Sequence, residues 1–83
     1  MHCYEFISPV DLTNRNATIF NHEVSILESN IWIRMEDRQC NAKSLLGILS
    51  MCIRKNSKLT IEIDGDNCQN VFDKIKDILN NMV

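Results

Sequence analysis

Between Lys58 and Met82 the spacing of the apolar residues changes from period two to period 3.6, which demands a strand followed by a helix. Lys58-Leu59-Thr60-Ile61-Glu62-Ile63 alternates cleanly, so Leu59, Ile61 and Ile63 share one face of an extended segment. Asp64-Gly65 closes that segment, and Asp66 is the expected cap of the following helix. Within it Cys68, Val71, Phe72, Ile75, Ile78, Leu79 and Met82 recur at helical spacing and form one apolar stripe. A strand with one apolar face and a helix with one apolar stripe must bury them against each other and against further elements of the same kind.

The preceding residues supply those elements. His2-Cys3-Tyr4-Glu5-Phe6-Ile7 is β-prone and reads as a first strand, ended by the loop Ser8-Pro9-Val10-Asp11. Thr13 is a suitable N-cap for a helix from about Asn14 to Ser25, with Ala17, Phe20 and Val24 on its buried face. Ile31-Trp32-Ile33-Arg34-Met35 is a second strand, and Glu36-Asp37-Arg38 turns the chain into a short third strand beginning at Gln39-Cys40. Asn41 is the expected cap of a second helix, from Ala42 to about Cys52. Along it Leu45, Ile48, Leu49 and Cys52 form one stripe, with Leu46 and Met51 to its sides. Trp32, Phe20 and Phe72 read as packing residues. The order β-α-β-β-α-β-α, with a hairpin at its centre, predicts an α+β fold with helices on one face of an antiparallel sheet.

The chain is 83 residues long and reads as a single domain over 1–83. Its 45% hydrophobic and 24% charged residues are a globular composition, and disorder would need less of the first. Net charge is −2 and the basic residues are scattered, which argues against direct nucleic-acid binding. No apolar run approaches a membrane span, and the first residues lack the basic-then-apolar pattern of a signal peptide. A cytoplasmic location is expected. Cys3, Cys40, Cys52 and Cys68 have long, irregular gaps and no C-x-x-C, so no metal is expected and all four read as reduced, small apolar residues. No nucleophile–base arrangement or glycine-rich phosphate loop points to an enzyme, a cofactor or a small-molecule substrate.

One local segment is more specific. Asn41-Ala42-Lys43-Ser44-Leu45-Leu46-Gly47-Ile48-Leu49-Ser50 resembles the regulatory serine segment of HPr, the histidine-containing phosphocarrier family of the bacterial sugar phosphotransferase system. In that segment a Lys-Ser pair opens the second helix and a glycine follows. Chain length, element order and the stretch from Lys58 onward are similar to the family as well. The resemblance implies an open-faced β-sandwich with a four-stranded antiparallel sheet and three helices on one face.

It also implies site residues. The family's carrier site reads approximately Gly-apolar-His-x-Arg-Pro-Ala, and the aligned residues here are Asp11-Leu12-Thr13-Asn14-Arg15-Asn16-Ala17. Arg15 and Ala17 match, whereas Thr13 replaces the carrier histidine and Asn16 the proline. A carrier imidazole holds phosphate as a labile phosphoramidate. A threonine hydroxyl is a poor nucleophile without a base, and its phosphate ester does not pass on readily. Asp11 would further repel an incoming phosphate. His2 and His22, the only histidines, fall in the first strand and two turns down the first helix. By the resemblance Ser44 is a phosphorylation site, while Arg15, Thr13 and Lys43 contact phosphate or a partner. Leu45, Leu46 and Leu49 dock partners.

Three readings follow. The first is a non-catalytic regulatory protein switched at Ser44, with HPr kinase/phosphorylase as partner and a catabolite-control transcriptional regulator as a candidate second. The second is a divergent phosphocarrier that accepts phosphate from enzyme I. The third is an HPr-fold interaction domain without phosphotransferase partners.

Overall fold

The strands expected from alternation are all present in the computed structural model, which describes residues 1–83. The elements are β1 (His2–Ile7), α1 (Asn14–Ser25), β2 (Asn30–Met35), β3 (Arg38–Asn41), α2 (Leu45–Met51), β4 (Lys58–Asp64) and α3 (Cys68–Asn80). The four strands make one antiparallel sheet in the order β1-β4-β2-β3. Its register places Tyr4, Ile61, Ile33 and Cys40 in one row across the sheet. Because strand side chains alternate, this row and its apolar neighbours face the helices.

Ala17, Phe20 and Val24 of α1 are buried against that face, as are Cys68, Val71, Phe72, Ile75 and Leu79 of α3. Ile78 and Met82 complete the α3 stripe from partly buried positions. Phe72 stacks on Tyr4 with ring centroids 4.4 Å apart and meets Phe6 edge-on at 6.2 Å, which clamps α3 to β1.

The opposite face of the sheet is uncovered by helices. Trp32, expected as a packing residue, lies there half-buried, in register with Glu62 of β4. The Glu62 carboxylate is buried on this open face, 3.7 Å from the guanidinium of Arg34.

Two expected caps shift. Ser44, not Asn41, caps α2, so that helix starts at Leu45 and ends at Met51. Asn41 instead accepts the Lys43 N–H through Oδ1 at 2.9 Å, and its carbonyl accepts the Ser44 N–H, forming a turn before the helix. Asn67 in the left-handed conformation, not Asp66, precedes α3. Thr13 does stand at the start of α1, but its hydroxyl makes no capping bond. The α2 stripe also differs from expectation: Met51 is buried with Ile48, whereas Cys52 is exposed in a left-handed C-cap.

All four cysteines are free thiols. Cys40 and Cys68 are buried as expected of small apolar residues, and burial pushes the Cys40 thiol above its ordinary pKa. Cys3 and Cys52 are exposed and do not serve the core.

One polar atom is out of place. The side-chain amide nitrogen of Asn21, on α1, is buried without a hydrogen-bond partner. Asn21→Leu removes that stranded donor and raises helix propensity, so a gain of about 1 kcal/mol is expected. Thermal denaturation followed by circular dichroism should then show a midpoint raised by roughly 4–8 °C for a domain of this size.

Candidate functional site

Two loops hold the start of α1 in place. The Ser8 N–H donates to the Ser57 carbonyl at 2.9 Å, and the Asn56 N–H donates back to the Ser8 carbonyl at 2.7 Å. Further on, the Leu12 N–H donates to the Ile53 carbonyl at 2.9 Å. Asp11 adds a side-chain link, its Oδ1 accepting the Lys55 N–H at 2.7 Å. That bond adds a structural role for Asp11, whose carboxylate holds the 52–57 loop. Asn16 donates from Nδ2 to the Asp11 carbonyl at 3.0 Å and ties the loop to the helix. These partners were invisible in the sequence because most are backbone groups more than forty residues from the residues they hold.

On this support Thr13 is half-buried and Arg15 exposed. The Thr13 carbonyl accepts the N–H of Asn16 at 3.1 Å and so opens α1. Asn14 follows with φ +49°, a conformation asparagine tolerates better than most residues. Arg15 forms no ion pair within the molecule, so its guanidinium is free to meet an anion. His2 and His22 are both exposed and lie on β1 and α1 as expected.

Ser44 lies at the far end of α2 from these loops. Its hydroxyl oxygen accepts the Gly47 N–H at 3.2 Å, and the residue is exposed. Ser44 is therefore the cap itself, and not the third helical residue that an Asn41 cap would make it. Gly47 makes this geometry feasible. A Cβ there would lie 3.0 Å from Cys40 Cβ and 3.3 Å from Ser44 Oγ. Lys43, expected to contact phosphate or a partner, is half-buried and donates its ammonium to the Leu27 carbonyl beyond α1. It ties the Ser44 turn to the α1–β2 connection.

Between Ser44 and the α1 loop runs the outer face of α2. Leu46 is 80% exposed and Leu49 37%. Leu45 beside them is half-buried and packs against the core. The seven residues of α2 span about 10 Å, which sets the distance over which the serine, the two exposed leucines and the Thr13–Arg15 turn are arrayed. No helix in the chain is long and apolar enough to cross a membrane.

Comparison with known proteins points the same way. The family model described as the PTS HPr component phosphorylation site matches residues 2–81. Phosphocarrier protein HPr of Mycoplasma capricolum is 33% identical over 67 residues, covering 81% of this chain and 75% of that protein. HPr of Lysinibacillus sphaericus is 24% identical over 79 residues, covering 95% and 90%. Among solved structures, a histidine-containing phosphocarrier protein of Mycoplasma superposes with a TM-score of 0.85 at 28% identity, over 98% of this chain and 94% of that one. HPr-C-His from Thermoanaerobacter tengcongensis superposes with a TM-score of 0.86 at 23% identity, over 96% and 92%. Open sheet, strand order and the match over nearly the whole length agree, and the chain belongs to the HPr family of phosphotransferase-system components, which are carriers and not enzymes.

Proposed function

We propose that this HPr-family protein is a regulatory member of the phosphotransferase system, switched by phosphorylation of Ser44 and not charged as a phosphocarrier at Thr13. The exposed hydroxyl of Ser44 beside the exposed Leu46 and Leu49 carries the reading. A phosphate there adds about two negative charges at the edge of an apolar patch and changes which partners that patch accepts. In the step itself the γ-phosphoryl group of ATP passes to Ser44 Oγ, ADP departs, and the hydroxyl proton goes to a base of the kinase. HPr kinase/phosphorylase is the proposed modifying partner, and a catabolite-control transcriptional regulator the proposed reader. Arg15 and the Thr13 turn extend the contact surface, with Lys43 holding the Ser44 turn in position.

Against carrier chemistry stands the residue type at position 13. Threonine lacks the imidazole nitrogen that makes a phosphoryl group transferable, and no base hydrogen-bonds to its hydroxyl.

The test is a pair of reactions read by intact mass with site mapping. With ATP and HPr kinase, one phosphate is expected on Ser44, and Ser44→Ala abolishes it while removing a cap worth about 1 kcal/mol. With phosphoenolpyruvate and enzyme I, no acid-labile phosphate is expected. An acid-labile phosphate in the second reaction would overturn the reading of Thr13, and failure of the first would overturn that of Ser44.

A further inference from the structure

A groove of about 490 Å³ runs between α1 and the end of α3, on the side of α1 where Arg15, Ile19 and Glu23 line up. These residues follow one another at four-residue steps, so they form a single stripe about 12 Å long. Ile19 is 38% exposed, and Ile78 and Met82 of α3 extend its apolar surface along the groove. Neither Arg15 nor Glu23 takes part in an ion pair within the molecule.

The charges run against the helix that carries them. A lone helix favours acids in its first turn and bases in its last. Here the first turn holds Arg15 and no acid, while Glu23 lies in the last turn. An antiparallel copy of the same stripe reverses the conflict, since it brings a glutamate to each arginine and opposes the two helix dipoles.

We infer that this face of α1 is a self-complementary contact for a second copy of the chain. The two-fold axis passes beside Ile19, which meets its own counterpart. Arg15 of each copy then faces Glu23 of the other, giving two equivalent ion pairs around an apolar centre. The ridges at four-residue spacing on two such helices interdigitate at a crossing angle near −50°. At that angle helix ends about 6 Å from the axis stay within reach of long arginine and glutamate side chains. One helix stripe and the rim of α3 make a smaller patch than the ~800 Å² per partner of a standard stable complex, so the association is weak, with a Kd on the order of 10⁻⁴ M. It covers Arg15, so self-association and use of Arg15 by another partner exclude each other.

Sedimentation velocity at low ionic strength, from about 10 µM to about 1 mM protein, tests the contact. Wild type is expected to shift from monomer to dimer across that range, and added salt weakens the dimer by screening the rim pairs. Arg15→Glu and Glu23→Arg each set like charges opposite one another twice, and each should weaken the dimer about tenfold. The double variant R15E/E23R restores both pairs and should return Kd to within about threefold of wild type. Both single changes relieve the charge–dipole conflict in the monomer, so misfolding does not confuse the result. Ile19→Asp should abolish association. A monomer throughout the range overturns the inference, as does a dimer indifferent to these changes or a double variant that fails to recover. Because the readout is mass and not phosphorylation, its outcome is independent of the reading of Ser44.

Discussion

Phe20→Ala is expected to leave much of the protein unfolded at physiological temperature. Phe20 has no exposed surface and is the largest of the fully buried side chains. It lies on α1 between Ala17 and Val24, both equally inaccessible, so the ring joins this helix to the sheet. Truncating a buried phenylalanine costs about 3–5 kcal/mol, from lost transfer energy and the cavity left behind. A chain of 83 residues has a total stability of only about 4–12 kcal/mol, so this single change removes a large share of it. In urea, with a slope near 1 kcal/mol per molar, the midpoint should fall by roughly 3 M or the transition should begin without denaturant. A fall of less than about 1 M would mean that α1 does not depend on this ring for its seat on the sheet.

Phe20 was legible in the sequence, and so was most of the architecture, because periodicity reports directly on which face is buried. The alternation at Leu59, Ile61 and Ile63 and the stripe from Cys68 to Leu79 translate into the observed core, with Ile78 alone left partly buried at its rim. Helix starts were less legible. Asn41 and Ser44 are both good caps three residues apart, and nothing local ranks them. The choice falls to Ser44 because Ala42, just past β3, is still tied to β2, its N–H donating to the Ile31 carbonyl at 2.9 Å. A strand neighbour distant in sequence thus delays the helix. Asp66 and Asn67 pose the same ambiguity, resolved by the left-handed conformation of Asn67. At the candidate site Arg15, Ser44 and Leu46 were readable as residues at or near helix starts, and all three are exposed. Lys43 and Asp11 were not, since the groups that engage them are a carbonyl beyond α1 and an amide in the 52–57 loop.

Gly65→Ala should be the most damaging change outside the core, destabilising by about 2–4 kcal/mol and lowering the thermal midpoint by roughly 10–25 °C. Gly65 sits in the turn from β4 to α3 with φ +154°, a region that L side chains rarely adopt. A Cβ there would also fall 2.7 Å from Ser29 Oγ and 3.1 Å from Ser29 Cβ. The two costs separate experimentally. In a Ser29→Gly background the collision disappears and the backbone cost remains, so Gly65→Ala should recover about half of its loss there. Ser29 is buried, which leaves its side chain little room to yield. Full tolerance of alanine in the wild-type background would show that the turn adopts another conformation in solution.

The pairing of β1 with β4 governs when this protein can fold. Ile7 pairs with Lys58 and His2 with Ile63, so the first strand waits for a partner about fifty to sixty residues downstream. β1 is an edge strand with no other partner, and it brings Tyr4 and Phe6 to Phe72 of the last helix. Closing so long a loop must precede the contacts that stabilise it, which places the chain among the slower small domains. On the ribosome the hairpin of β2 and β3 can form early, but the sheet stays incomplete until β4 has left the exit tunnel. Until then the apolar side of β1 is open to other nascent chains, and chaperone demand should concentrate in that interval.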